Sequence, residues 1–233
     1  MIKKIKNFYN SINLIEKSLF ILFSLFPIAF ILGNFSINLL FFLISIIFII
    51  DTYVNKNYSF LKDPIFFLLI IFFLSLIINV FFSMHFVNSI PRVLKILLMI
   101  LFVLQSKRYI QKYPKEFEEI IFGFWSLVFF IVVLDGIFEI IFGFNTLGFS
   151  TQLTGRIAGF FGEELVLGGF FFSFCLIFTT YIASLNKNYK KLILIIISLL
   201  IVVSFLIGER SNFIKVFLSL SFLSFFLIKL KLK

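Results

Sequence analysis

The stretch SLFILFSLFPIAFILGNFSINLLFFLISIIFII, Ser18 to Ile50, decides the fold. It holds 33 residues without a charged side chain, and as one helix it would be about 50 Å long at about 1.5 Å per residue. A hydrocarbon core is only about 30 Å thick and takes about 20 apolar residues per crossing. Gly33-Asn34, a turn dipeptide near the middle, divides the run into two short helices.

Outward from this stretch, further apolar segments fall at about 64–83, 87–104, 120–142, 165–184, 192–207 and 212–228, so eight crossings are expected. The basic residues test that count. With the amino terminus inside, 16 of the 21 Lys and Arg lie on the cytoplasmic side, in groups around Lys3 to Lys17, Lys56 and Lys62, Lys107 to Lys115, Lys187 to Lys191, and Lys229 to Lys233. Arg92, Lys95, Arg156, Arg210 and Lys215 lie outside. A single helix over Ser18–Ile50 would invert every later loop and leave 9 inside against 12 outside. The positive-inside rule selects the split reading. The expected fold is all-α, a polytopic integral membrane protein with about eight transmembrane helices and both termini cytoplasmic. Residues 1–233 then form a single transmembrane domain, with an outer-face segment at 143–164 between the fifth and sixth helices.

Composition agrees. The chain is 61% hydrophobic and 14% charged, with a mean hydropathy of +1.15, whereas soluble domains are about half apolar and about a quarter charged. A soluble globule is excluded. The net charge of +10 sits mainly on the inner side, where each Lys near an anionic leaflet gains about 1 kcal/mol, so no nucleic acid partner is needed to explain it. Cys175 is the one cysteine and lies in an apolar run, which leaves no disulfide framework and no cysteine-based metal site. No small-residue cleavage site follows Lys17, so no signal peptide is expected.

The remaining charges carry the functional information, because ionisable groups at membrane depth are costly and usually face a cavity or a partner. Arg92 and Lys95 follow Pro91 at i, i+3 and share a helix face; they either snorkel to headgroups or form a cationic site for an anionic headgroup. Asp135 and Glu139, at i, i+4, place two carboxylates on one face. Such a pair should seek an arginine or share a proton, and Arg92 and Arg156 are the expected partners. His85 stands alone in a short loop and is expected to be inert. Gly143 to Glu164, GFNTLGFSTQLTGRIAGFFGEE, is the longest outer stretch, with glycines that allow tight turns or close approach. Gly208 to Asn212, GERSN, packs an acid, a base and two polar residues between two very apolar helices.

Asp135-Gly136 with IFEIIFGFNTLGF after it, then GRIAGFFGEELVLGGFF (Gly155 to Phe171), then LIGERSNF (Leu206 to Phe213), resemble the O-antigen ligase and O-antigen polymerase superfamily. Arg156, Gly159, Phe161, Gly162, Glu163 and Glu164 match its outer R-x-(S/A)-G-x-F-G-(D/E)-E stretch. Gly208, Glu209, Arg210 and Ser211 match its later G-E-R-(S/T) turn. The paired short first helices and Arg92 at an outer helix start are also similar.

The resemblance implies a multi-pass glycosyltransferase of the bacterial cytoplasmic (inner) membrane, acting in lipopolysaccharide biosynthesis without a metal or other cofactor. It would transfer an oligosaccharide from undecaprenyl diphosphate to a sugar hydroxyl of a glycan or lipid A-core acceptor on the outer face. Arg92, Arg156 and Arg210 would bind the diphosphate, since arginine donates paired hydrogen bonds to phosphate and stays charged. Glu163 or Glu164 would be the general base for the acceptor hydroxyl, with Asp135, Glu139 and Glu209 in support. The family has about ten or more crossings and a late outer loop bearing a further arginine and a histidine. Against it this chain is short, so the expectation is a protein lacking the carboxyl-terminal part, truncated or inactive. The alternatives are a small membrane transporter, with Arg92, Asp135, Glu139 and Arg210 lining the path, and a non-catalytic membrane subunit.

Overall fold

The structure is a computed structural model that describes residues 8–84, 86–149, 155–162, 166–185 and 190–229, so His85, Glu163 and Glu164 lie outside the described residues. Every regular element among the described residues is helical. In chain order these are α1 (Leu14–Ser24), α2 (Phe26–Ile31), α3 (Asn34–Asn55), α4 (Pro64–Phe81), α5 (Phe86–Lys112), α6 (Phe122–Phe142), α7 (Leu167–Leu185), α8 (Lys190–Leu206) and α9 (Arg210–Lys229). Short helical turns at Ser59–Lys62, Pro114–Glu116, Phe117–Ile121 and Gly159–Phe161 supplement them.

The long apolar run divides where expected. Gly33 adopts φ +94° and α3 starts at the next residue, because glycine enters the left-handed region at little steric cost. A second interruption at Leu25 separates α1 from α2. Among the described residues, five helices are long and apolar enough to cross a membrane: α3, α4, α5, the run Pro114–Phe142 that ends in α6, and α7. The chain is therefore an all-helical, multi-pass membrane protein. The fifth expected segment starts earlier than its apolar limit at residue 120, because Pro114 opens a helical turn that continues through a π-helical stretch at Phe117–Ile121 into α6.

Contacts group the chain into two compact units. The first comprises Met1–Ala29 and Asn34–Phe117, and the second Phe30–Gly33 and Glu118–Lys233. In the first, α3 packs on α5, with the Ser45 hydroxyl donating to the Leu98 carbonyl at 3.1 Å. Phe48, Ile100 and Leu104 form its core with Phe60 and Phe66 against them. Helix starts are chemically defined. Asn13 and Glu16 form a reciprocal capping box on α1, and Asp63 caps α4 ahead of Pro64 by accepting the Ile65 N–H at 3.0 Å.

One end of α5 gathers three ion pairs. Lys107 pairs with Asp63, Arg108 with Asp51 at 2.7 Å, and Lys112 with Glu16. Arg108 also donates to Thr52 Oγ1 at 3.2 Å and to the Asn57 carbonyl at 3.1 Å, with its guanidinium 4.8 Å from the Phe48 ring centre. Three of the basic residues that the sequence assigned to topology alone thus join α1, α3 and the start of α4 to α5.

In the second unit α6 and α7 pack most closely, through phenylalanine. Phe129 is fully buried and meets Phe171 and Phe178, each with ring centres 5.2 Å away. Trp125 meets Phe174 edge-on at 5.7 Å. Such aromatic pairs add about 0.5–1.5 kcal/mol each beyond their burial. α8 and α9 pack on α7 and on each other, which brings the α8–α9 turn to the start of α7.

Candidate functional site

The site builds where α6 ends, α7 begins and α8 turns into α9. Gly143 closes α6 with φ +78°, its N–H bonded to the Glu139 carbonyl at 2.8 Å. One and two turns before it, Glu139 and Asp135 are 5% and 2% exposed. Their carboxylates hold loops. Asp135 Oδ1 accepts the Thr146 N–H at 2.9 Å and its hydroxyl at 2.6 Å. Glu139 accepts the Gly159 N–H at 2.6 Å and the Ala158 N–H at 3.4 Å. Asn145, 1% exposed, links the two loops by donating to the Gly159 carbonyl at 2.6 Å while its side-chain oxygen accepts the Leu147 and Phe149 N–H groups. The two acids were expected to seek an arginine. Neutral N–H and O–H donors from the chain itself meet Asp135 Oδ1 and both oxygens of Glu139, while Asp135 Oδ2 is buried with no hydrogen-bond partner among the described residues.

The segment held by Glu139 rests on the α8–α9 turn. Ile157 N–H donates to the Ile207 carbonyl at 3.2 Å. Gly208 has φ +83°, and a Cβ there would run into the Gly155 carbonyl oxygen. The next residue, Glu209, turns its carboxylate to the start of α7: Oε1 accepts the Gly168 N–H at 3.1 Å and Oε2 accepts from the Asn212 amide. A carboxylate at a helix amino terminus is favourable by about 0.3–1 kcal/mol. Glu209 therefore acts as a cap and a brace for the turn.

Between these segments lies a cavity of about 1030 Å³ whose lining includes Arg156, Gly208, Arg210 and Ser211. Both arginines are exposed. Arg210 is the first residue of α9, where the helix dipole presents its positive end, so a cation is disfavoured there unless an anion joins it. Two guanidiniums and a helix start on one cavity suit a phosphate-type anion, which takes paired charge-assisted hydrogen bonds from each arginine.

The structure thus brings together two of the three arginines singled out in the sequence, Arg156 and Arg210, and places Glu209 behind them. Arg92 belongs to the first unit, exposed on α5 with Lys95 one turn on. Pro91 stands inside α5, which starts at Phe86 and not at the proline. Glu163 and Glu164, the two candidate bases, lie outside the described residues. Sequence reasoning missed Asn145 and Thr146, whose signal was a polar pair immediately after the helix-ending Gly143, and Gly168, whose role depends on a partner distant in sequence. The chain matches no family model, no curated protein and no solved structure.

Proposed function

We propose that this protein is a glycan-transfer protein of the O-antigen ligase and polymerase type, with eight crossings, both termini cytoplasmic and the arginine cavity on the outer face of a bacterial cytoplasmic membrane. The observation that carries the reading is the meeting of Arg156 and Arg210, from two motifs far apart in the chain, on one cavity.

In this reading the donor is an oligosaccharide on undecaprenyl diphosphate. The acceptor hydroxyl oxygen attacks the anomeric carbon and the bond from that carbon to the diphosphate oxygen breaks. The electron pair leaves with the lipid diphosphate, and the hydroxyl proton passes to a carboxylate, Glu163 or Glu164. Arg156 and Arg210 stabilise the charge that grows on the leaving diphosphate, which is where fixed positive charge accelerates such a step. Glu139 holds the backbone that carries Arg156, Asp135 holds the neighbouring loop at Thr146, and Glu209 holds the turn that carries Arg210.

Deletion of the gene tests the proposal. Loss of long O-chain ladders from lipopolysaccharide, restored by the intact gene but not by an Arg210→Ala gene, is the expected result. Unchanged ladders overturn it, and altered solute uptake in the same strain would point to a transporter.

A further inference from the structure

Helix α5 carries five cations, and they divide into two kinds. Lys107, Arg108 and Lys112, at its end, each meet an acid of the same unit. Arg92 and Lys95, in its first half, meet neither an acid nor a hydrogen-bond acceptor among the described residues. Arg92 is exposed, and its neighbours Leu94 and Met99 are 55% and 41% exposed. This side of α5 therefore faces the bilayer and not the protein.

The ion pairs mark one limit of the hydrocarbon. Asp51 ends the apolar run of α3, Asp63 precedes that of α4, and Lys107 and Arg108 follow that of α5, and these residues meet. Lys95 stands 12 positions from Lys107 and Arg92 stands 16 from Arg108, about 18 Å and about 24 Å of helix. A hydrocarbon core is about 30 Å thick, so both backbone positions lie inside its far limit, Lys95 by about 12 Å. The other end of the hairpin agrees. Ser83 and Ser89 join α4 to α5 by a hydroxyl contact of 3.1 Å, and Arg92 and Lys95 lie about one and two turns inward of Ser89. On α4, Asn79 is exposed and 16 positions from Asp63, level with Arg92.

Cations at such depth are costly unless an anion joins them. Snorkelling lifts Arg92 to the headgroups, but Lys95 starts a turn deeper on the same helix face. A free anion would have to pass the acyl chains that cover Leu94 and Met99. A phospholipid phosphate arrives by lateral diffusion, and its own chains cover those residues. A zwitterionic headgroup already carries a cation beside its phosphate, so an anionic one gains more. We propose that the Arg92–Lys95 face of α5 binds the phosphate of an anionic phospholipid, drawn about one helical turn into the bilayer, with Asn79 as a polar neighbour at the same height. The site lies wholly in the first unit and does not rest on the Arg156–Arg210 cavity. It gives Arg92 a task other than the diphosphate contact that the resemblance implies.

The test uses the full chain in nanodiscs of dioleoyl phosphatidylcholine, with a fluorophore on Met99→Cys, one turn from Lys95 on the same face. The native Cys175 is fully buried, so the label goes to position 99. Chain-brominated phosphatidylglycerol is the quencher, and chain-brominated phosphatidylcholine is its control. Phosphatidylglycerol is expected to be favoured about tenfold at this position. Arg92→Gln combined with Lys95→Gln, which breaks no contact among the described residues, should bring the ratio close to one, and Arg92→Lys alone should keep most of it. Lys115→Gln, exposed beyond the far end of α5, and Arg210→Ala should leave the ratio unchanged. Saturating inorganic phosphate should not displace the lipid. An undiminished preference in the double glutamine variant overturns the proposal. So does displacement by inorganic phosphate, which would make this a free-anion site, or displacement by undecaprenyl diphosphate at a far lower proportion than phosphatidylglycerol, which would return the two cations to the donor.

Discussion

Glu209 occupies the space that a side chain at residue 168 would fill: its Oε1 accepts the Gly168 N–H at 3.1 Å, and a Cβ built on Gly168 would lie 2.6 Å from the carboxylate. The acid that braces the Arg210 turn and the glycine that admits it are thus one feature. Gly168→Ala is expected to displace the carboxylate, at a cost of about 1–3 kcal/mol, and to weaken pyrophosphate binding. Gly169→Ala, whose Cβ would meet nothing nearer than 3.9 Å, should leave both unchanged. Thermal unfolding in detergent and a pyrophosphate titration of the two variants decide the matter, and equal behaviour of the two would refute it.

Glu139 offers a second test, because its partners are backbone N–H groups. Glu139→Ala leaves the amides of Ala158 and Gly159 without their acceptor, at a cost of about 1–3 kcal/mol. Glu139→Gln keeps an acceptor oxygen and should cost less than half as much. Hydrogen exchange at the Gly159 amide should speed up in the alanine variant and change little in the glutamine variant. A glutamine variant as damaged as the alanine one would show that charge, and hence an ion pair, matters there.

A pH dependence follows from Glu16, which precedes the long apolar run. Burial pushes its carboxyl up, and hydrogen bonds from Lys112, the Asn13 amide and Tyr113 more than offset this, leaving it below its ordinary value of 4.5. Asp63 is likewise held below its ordinary value by Lys107 and the Ile65 amide. A carboxylate with a depressed folded-state pKa stabilises the fold above its unfolded value, and the contribution is lost as pH falls through the folded value. The melting temperature should therefore hold steady from about pH 7 to about pH 5 and fall below about pH 4.5. Glu16→Gln should lower it at neutral pH and flatten the acid limb. An acid limb as steep in that variant as in the parent would remove Glu16 from the account.

Topology has its own measurement. Leu147 and Tyr58 are both well exposed, and the native Cys175 is fully buried, so its background labelling is low. With eight crossings, Leu147→Cys should react with an impermeant maleimide on intact cells and Tyr58→Cys only after permeabilisation. The reverse pattern would overturn the count of eight.

Much of the fold was legible because the bilayer imposes a length on every crossing and glycine imposes a conformation on a break. The apolar segments and the Gly33 interruption both follow from those two rules. The ion pairs of α5 were not legible. Asp51 and Arg108 are separated by 57 positions, and a positive-inside tally treats Lys107, Arg108 and Lys112 as interchangeable cations without asking which acids meet them. Asp135 and Glu139 misled for a different reason. Their proximity announced a need for compensation, but a loop can supply N–H and O–H donors as readily as an arginine can supply charge, and the identity of the donor depends on how Thr146 and Gly159 fold back. Arg156 and Arg210 stood out as two of the five basic residues that the positive-inside tally leaves outside, and through the pattern of their neighbours. Nothing in the spacing of the two segments announces that Gly155 and Gly208 touch.

That contact between two glycines separates the fate of the site from the fate of the bundle. Phenylalanine, leucine and isoleucine can drift among themselves across the helices while the chain still inserts and packs, since a core tolerates exchange at conserved volume. A single methyl group at Gly208 would instead push apart the strips of backbone that carry the two arginines. A lineage under no demand for anion binding would be expected to erode there first, leaving an intact membrane protein with its arginines out of register.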